Sequence, residues 1–350
     1  MDSQSIKKIL VIKLRHHGDV LLTSPFFSAL KHFFPEAEIA VVLYEETLPV
    51  LKYHPAISEF HLVDRKWKKL SLMGRFKKEF ELIKRLKTRS YDLAFNLTEG
   101  DRGALYAFLS GAKKRVGLDV KNGFWGKSKL YTMLVKQSPT MKHTVEMNLD
   151  FLRSIGFYPP FHIRELVLNY HENDLLKVKE LTKRFNHYIV VHPVSRWMFK
   201  ALPVETMKEI VRECLKRGEN LVLTGSLSED EMAYNRLLKE GLEESCLLDL
   251  SGKLSILELA ALMGRAKGVV TVDSLPMHMA AALKTPLVAA FGPTSEIRWA
   301  PWRHPQSKVV TQNLPCRPCY RPGCQDSHRS DCLETMPVQK MLDAISEVII

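Results

Sequence analysis

Residues 268–291 read GVVTVDSLPMHMAAALKTPLVAAF, and this stretch decides the fold. A short β-branched run at 269–272 is followed by a turn, a helical stretch at 277–283 and a second apolar run at 287–291. Apolar runs of strand length that alternate with helical segments are typical of βαβ units around a parallel sheet. The small alanines of the helical stretch allow that helix to pack closely on the sheet.

The same alternation repeats along the chain in two series. Predicted strands lie at 8–14, 38–44, 59–63, 91–97 and 114–118 in the first series, and at 188–194, 220–224, 269–272 and 287–291 in the second. A chain of 350 residues is long for a single hydrophobic core. The pattern therefore predicts an α/β protein with two Rossmann-like, doubly wound domains that face each other across a cleft.

The domain boundary is expected near residue 170. We place the first domain at 1–170 and the second at 171–337, and the amphipathic pattern of 338–350 predicts a last helix that packs back on the first domain. The sequence has no uncharged apolar run of about 18 residues, so we expect no membrane span. The polar segment 1–8 lacks an apolar signal core, which predicts a cytoplasmic protein.

The net charge of +12 favours an acidic partner and is concentrated in one segment. Residues 65–89 contain eleven Lys or Arg against two Glu, and Phe76, Phe80 and Ile83 recur there at helical spacing. This basic amphipathic helix is either a solvated face above a stripe that points to the core, or a surface for anionic lipid or phosphates. A nucleic-acid partner is not expected, because few aromatic residues interleave with the cations and no nucleic-acid-binding motif occurs.

Ligands of doubly wound sheets bind beyond the carboxyl ends of the strands. The first such loop contains Arg15, His16, His17, Gly18 and Asp19. The Asp19 carboxylate is either a helix N-cap or a general base that takes a proton from an acceptor hydroxyl. The arginine and the two histidines beside it are candidates for acceptor binding.

The loops after the strands at 188–194 and 220–224 carry further candidates. Lys200 either neutralises a departing diphosphate or is a solvated cation. Glu229 begins a predicted helix, where it either favours the helix dipole or accepts hydrogen bonds from ribose hydroxyls.

The most specific loop lies between the strand at 269–272 and its helix. Asp273 ends the strand, and the backbone N–H groups at Ser274 and Leu275 open the helix, which makes a site for phosphates. His278 lies one turn further on and is either a packed, hydrogen-bonded histidine or a part of the same site. The sequence has no G-x-G-x-x-G, P-loop or D-x-D motif, which argues against nicotinamide, ATPase and metal-dependent sugar-nucleotide sites.

Four cysteines have the spacing C-x2-C-x4-C-x7-C near the end of the chain. Such a cluster is either a structural metal site or a set of reduced thiols. Its members are Cys316, Cys319, Cys324 and Cys332.

Three stretches resemble one enzyme family, the ADP-heptose:lipopolysaccharide heptosyltransferases of glycosyltransferase family 9. They are KILVIKLRHHGD at 8–19, VDSLPMHMAAA at 272–282 and the Phe199-Lys200 pair, and the resemblance spans nearly the whole chain. It implies GT-B architecture and inverting transfer of heptose from ADP-L-glycero-D-manno-heptose to a phosphorylated lipopolysaccharide core, with no required cofactor. It also implies a peripheral location at the anionic, cytoplasmic face of the inner membrane of a Gram-negative bacterium. Within the family, the likeness is greatest to enzymes that add a branching third heptose to heptose II.

The resemblance also implies roles for the candidate residues. Asp19 matches the catalytic base in an acceptor-binding first domain. The matches in a donor-binding second domain are Ser195, Lys200, Glu229, Asp273, Ser274, Leu275 and His278. The alternatives that stay open are a related glycosyltransferase with another nucleotide sugar or acceptor, and a non-catalytic binder of nucleotide sugars or nucleic acid.

Overall fold

The computed structural model describes residues 5–120, 122–242 and 245–350. Part of the polar segment from which we predicted the absence of an export signal, residues 1–4, lies outside the described residues. The chain divides into two compact units, Met1–Val167 and Leu168–Ile350, here called unit 1 and unit 2. This division falls close to the boundary expected at residue 170.

Unit 1 is a doubly wound parallel sheet. In its described residues the strands are β1 (Lys8–Lys13), β2 (Glu38–Tyr44), β3 (Glu59–Val63), β4 (Leu93–Asn96), β5 (Lys114–Leu118) and β6 (Met133–Val135). They are ordered β3-β2-β1-β4-β5-β6, and every pair is parallel. The helices are α1 (His17–Leu21), α2 (Ser24–Phe33), α3 (Leu72–Thr88), α4 (Asp101–Leu109) and α5 (Thr144–Arg153).

Unit 2 repeats this architecture. Its strands in the described residues are β7 (Ile189–His192), β8 (Leu221–Leu223), β9 (Leu247–Asp249), β10 (Gly268–Val272), β11 (Leu287–Phe291) and β12 (Ser307–Thr311). They are ordered β12-β11-β10-β7-β8-β9, again all parallel. The helices are α6 (Glu172–Leu181), α7 (Val204–Lys216), α8 (Glu229–Lys239), α9 (Ile256–Arg265), α10 (Leu275–Leu283), α11 (Glu296–Trp299), α12 (Asp331–Glu334) and α13 (Val338–Val348).

The central strands are buried because helices cover both faces of each sheet. Residues 9–12 of β1 and 287–291 of β11 are wholly inaccessible to solvent. Continuous apolar runs of this kind are the sequence mark of parallel strands with two covered faces. The predicted fold class, two doubly wound α/β domains, is therefore confirmed. The strands β6, β9 and β12 were not predicted.

The last helix packs within unit 2, and the expectation that it packs on the first domain stays a prediction. Met341, Leu342 and Ile345 of α13 are buried in the same core cluster as residues of α7, β10 and β11. Gly268 of β10 leaves room for this contact, since a Cβ there would lie 2.5 Å from the Ile349 side chain. The amphipathic pattern indicated a buried face but not which sheet would cover it.

Helix α3 does not bury the whole stripe of Phe76, Phe80 and Ile83 that one of the two sequence interpretations pointed to the core. Leu82 and Leu86 are fully buried, whereas Phe76 is 71% and Phe80 is 68% exposed. Of the three residues of that stripe, only the half-buried Ile83 packs against the core cluster of unit 1. No helix in the described part of the chain is long and apolar enough to cross a membrane.

Candidate functional site

The strand order in the unit 2 sheet reverses between β7 and β10, which are parallel neighbours in space. In doubly wound sheets this switch point is where ligands bind. A cluster of three side chains lies there, one from the segment after each of three adjacent strands. Lys200 follows β7, Asp273 follows β10 and Thr294 follows β11.

These three residues are joined through one carboxylate oxygen. Lys200 Nζ lies 2.7 Å from Asp273 Oδ2, and Thr294 Oγ1 donates a hydrogen bond of 2.6 Å to the same atom. The Asp273 side chain is 6% exposed, and that of Lys200 is 18% exposed. A buried carboxylate needs such partners, because an isolated buried charge is strongly destabilising. Sequence reasoning selected Lys200 and Asp273 but missed both their pairing and Thr294.

Helix α10 begins beside this cluster with its first amides uncapped. Ser274 is the N-cap residue but makes no capping hydrogen bond with its side chain. Its hydroxyl instead donates to the Val272 carbonyl oxygen, at 3.3 Å. The first N–H groups of a helix have no partner within the helix, so the turn that starts at Leu275 can donate to an anion.

His192 and Ser195 lie at the carboxyl end of β7, at the same edge of the sheet. The buried Ser195 hydroxyl accepts a hydrogen bond from the Trp197 amide, at 3.2 Å, which shapes the loop that leads to Lys200. His192 ends β7, and its Nδ1 lies 2.9 Å from Thr224 Oγ1. Burial lowers the pKa of His192 to about 4, so this ring is neutral at pH 7. His192 was missed because it forms part of an apolar strand.

Glu229 is not brought into the Lys200–Asp273 cluster. It is exposed on the first turn of α8, and no contact in the described residues links it to either partner. The buried acid of this loop is Glu231, whose Oε2 accepts a hydrogen bond of 2.7 Å from the Ser226 amide. Glu231 therefore fixes the loop after β8, whereas Glu229 can reach only a ligand that lies over the loop.

His278 lies inside α10, one turn from its start, and is 4% exposed. Its ring centroid is 6.5 Å from that of Trp299. This position agrees with the interpretation of His278 as a packed histidine. A role in ligand binding remains a separate proposal.

The unit 1 sheet has its own switch point, between β1 and β4. The Arg15 guanidinium lies 3.8 Å from the Glu99 carboxylate, both being partly exposed. The Leu14 amide donates to Thr98 Oγ1 at 2.9 Å, and the buried Lys13 Nζ lies 3.2 Å from Asn148 Oδ1. The carboxyl ends of β1 and β4 are thus held together by polar contacts. Thr98 and Glu99 were missed, although the rule of looking after each strand could have found them.

Asp19 is the third residue of α1 and is half-buried. The N-cap position belongs to His16, so the interpretation of Asp19 as an N-cap is wrong. Across the described residues, the Asp19 carboxylate has no hydrogen-bond or ion-pair partner. An accessible carboxylate without a partner at a switch point can accept a proton from a bound hydroxyl.

The two histidines beside Asp19 contact the segments that follow β2 and β3. His17 Nε2 donates a hydrogen bond to the Glu46 carbonyl oxygen, at 2.7 Å. His16 Nδ1 lies 3.4 Å from an Arg65 nitrogen, and Arg65 in turn forms an ion pair of 2.7 Å with the Glu46 carboxylate. Arg65 also stacks on the Tyr44 ring, 3.8 Å from its centroid. Arg65 is therefore a further cation near the predicted acceptor side.

The four cysteines differ in burial, and both interpretations of them, a structural metal site and a set of reduced thiols, stay predictions. Among the described residues, no group of three or more His, Cys, Asp or Glu side chains is placed to hold a metal ion. Cys332 is buried in the unit 2 core, whereas Cys316 is exposed. Burial raises the pKa of the Cys332 thiol to about 11, so without a bound metal ion this thiol is protonated at pH 7.

Known proteins resemble this chain over most of its length. The model of glycosyltransferase family 9 (heptosyltransferase) matches residues 79–329. Lipopolysaccharide heptosyltransferase 3 of Escherichia coli K12 is 33% identical over 298 residues, which cover 83% of each chain. A family 9 glycosyl transferase structure from Veillonella parvula has a TM-score of 0.84 at 21% identity and covers 100% of this chain and 98% of its own. The structure of E. coli heptosyltransferase WaaC with ADP-2-deoxy-2-fluoro heptose has a TM-score of 0.73 at 20% identity and covers 97% and 99%.

Two doubly wound units and the likeness to these structures define the class of protein by its architecture, the GT-B fold. The family model covers most of the chain, and a relative that is 33% identical spans 83% of it. The chain therefore belongs to glycosyltransferase family 9, the heptosyltransferases. The family expected from its sequence motifs is confirmed.

Proposed function

We propose that this protein transfers heptose from ADP-L-glycero-D-manno-heptose to a phosphorylated lipopolysaccharide core, with inversion at the anomeric carbon. The relative at 33% identity is named for lipopolysaccharide heptose transfer, and a solved structural neighbour holds an ADP-heptose analogue. The observation that carries the proposal is the Asp19 carboxylate, accessible and without a partner at the switch point of unit 1.

The chemical step is a single displacement. An acceptor hydroxyl oxygen attacks the anomeric carbon while the bond from that carbon to the ADP oxygen breaks. Asp19 takes the hydroxyl proton, and ADP leaves with the bonding electron pair. General base catalysis of this kind contributes about 10²–10⁴ in rate.

The donor is assigned to unit 2. Lys200 has three N–H donors, and Asp273 uses one of them, so two can reach the diphosphate. The uncapped amides at Ser274 and Leu275 stabilise the same departing charge. Ser195 shapes the lysine loop, Glu229 accepts from the ribose and His278 closes the pocket beneath the donor. No metal or other cofactor is required in this proposal.

The acceptor is assigned to unit 1. Arg15, His16 and His17 bind the phosphorylated core around Asp19, and Arg65 adds a charge-assisted donor. The likeness to heptosyltransferase 3 supports addition of the branching third heptose to heptose II. The enzyme acts in the cytoplasm, peripherally on the inner membrane, where its basic surface meets anionic lipid.

The test measures ADP release by the purified protein from ADP-heptose, with and without a core acceptor that lacks the branching heptose. We expect acceptor-dependent release, at least about 10²-fold slower in Asp19→Asn, with unchanged ADP-heptose affinity by calorimetry. Glu36→Gln, an exposed carboxylate change in unit 1, is the matched control and keeps full activity. Wild-type turnover in Asp19→Asn removes the assigned base. Turnover with another nucleotide sugar alone keeps the family and removes the heptose assignment.

A further inference from the structure

Helix α3 carries a row of large apolar side chains that the fold leaves in solvent. The row consists of Leu72, Met73, Phe76 and Phe80, which are 68% to 80% exposed. Met73, Phe76 and Phe80 are spaced i, i+3 and i+7, so they lie on one side of the helix. Leu70, just before the helix, is 45% exposed and extends the row. A contiguous exposed apolar surface on a soluble unit marks an interaction site.

The row is set apart from the side of α3 that packs on unit 1. That side is formed by the fully buried Leu82 and Leu86. It is fastened by Glu79, whose carboxylate accepts a hydrogen bond of 2.5 Å from Arg102 of α4 and one from Tyr106. The helix is therefore fixed by contacts that do not involve the apolar row, and its orientation keeps the row outward.

Exposed lysines surround the apolar row. Lys77, Lys84 and Lys87 follow Met73 by 4, 11 and 14 residues, which places them on the same stripe of the helix. Each is exposed without an acidic partner in the described residues. Lys68 and Lys69 extend the charge before the helix. Apolar side chains with a cationic border are typical of helices that lie in the plane of a membrane interface. The same border attracts anionic headgroups.

We propose that α3 is the membrane-docking element of this enzyme. The apolar row enters the acyl boundary of an anionic bilayer, and Lys77, Lys84 and Lys87 contact the headgroup phosphates. The inference rests on the proposed function, in which the enzyme acts peripherally on a membrane, and it assigns the docking to one helix. A second copy of the chain is a poor occupant, since a symmetric contact through this face would oppose like charges.

The test is cosedimentation with vesicles of phosphatidylethanolamine and phosphatidylglycerol, compared with phosphatidylcholine alone. We expect wild-type binding to the anionic vesicles that weakens as salt rises. The triple variant Met73→Ser/Phe76→Ser/Phe80→Ser should lose at least about tenfold in vesicle affinity. Lys77→Gln/Lys84→Gln/Lys87→Gln should lose at least about tenfold, with a weaker salt dependence.

A matched control removes exposed leucines from unit 2. Leu176→Ser/Leu237→Ser, which changes residues 53% and 48% exposed, should leave vesicle binding unchanged. All variants should keep the wild-type melting temperature and the wild-type kcat with a soluble, deacylated acceptor. Wild-type vesicle binding by the α3 triple variant overturns the proposal. So does loss of self-association in that variant, which would identify a second copy as the occupant. Vesicle binding without heptose transfer would instead leave α3 docking intact and remove the proposed function.

Discussion

The buried Asp273 carboxylate determines where the Lys200 side chain is held. The carboxylate is almost completely buried and accepts from both Lys200 and Thr294, so it holds the lysine at the end of the sheet. The lysine needs this tether because a flexible four-carbon side chain loses rotamer entropy when it is ordered. Lys200 therefore contributes to the stability of the fold, through its ion pair with Asp273, and separately to ligand binding.

Two variants separate the contribution of Lys200 to stability from its contribution to ligand binding. Lys200→Met leaves the Asp273 carboxylate buried without its cation, so we expect a lower melting temperature and an ADP affinity reduced at least about tenfold. Lys200→Met/Asp273→Asn removes both charges and should recover much of the melting temperature while the ADP affinity stays low. Differential scanning fluorimetry and calorimetry measure the two quantities. Recovery of ADP affinity in the double variant would mean that Lys200 acts only as a structural partner of Asp273.

At the scale of elements, α13 completes the core of unit 2. Its apolar residues pack against α7, β11 and β12. The exposed Arg217 also donates a hydrogen bond of 2.6 Å to Ser346 Oγ. The last helix of the chain is thus an integral part of the second sheet's cover.

We expect Ile345→Ala to lower the free energy of unfolding by about 2–5 kcal/mol, because it leaves a cavity in this core. Urea denaturation followed by circular dichroism measures the change. Asp343→Ala, on the exposed face of the same helix, is the control and should change the free energy by less than about 0.5 kcal/mol. Equal effects of the two substitutions would contradict the observed packing.

At the scale of the whole molecule, both units contain buried histidines whose pKa values are lowered by burial. These are His54 and His61 in unit 1, and His192 and His304 in unit 2. The pKa of His54 is lowered to about 4, as is that of His192. The folded chain keeps these rings neutral, whereas the unfolded chain protonates them near pH 6.5.

Stability should therefore decline in mild acid. The contribution of each neutral ring is fully present above about pH 6.5 and is lost as the pH falls towards 4, by up to about 3 kcal/mol for His54 or His192. Urea unfolding between these pH values should show the decline in the wild type and a smaller decline in His54→Gln and in His192→Gln. His162→Gln, at an exposed position, is the control. A decline unchanged in both core variants would assign the acid sensitivity to other groups.

The sequence alone determined the fold class, most of the strands, the loops that carry polar residues and the family. It could do so because these depend on local signals: apolar runs of strand length, helical periodicity, and side chains placed directly after a strand. The strands β6 and β9 have only three residues each, which is too few for such a signal, and β12 was also not predicted. The predicted candidates Asp19, Lys200 and Asp273 were found by position along the chain.

Only the tertiary structure decided which groups meet and which faces are covered. Lys200 and Asp273 are 73 residues apart in sequence, and the parallel pairing of β7 with β10 brings them together. The helical period of α3 is satisfied by Leu82 and Leu86 as well as by Phe76 and Phe80, so the periodicity could not tell the buried side from the exposed one. For the same reason, the amphipathic pattern of α13 did not show which sheet the helix packs on. Side-chain periodicity describes one element, whereas burial depends on the elements that pack against it.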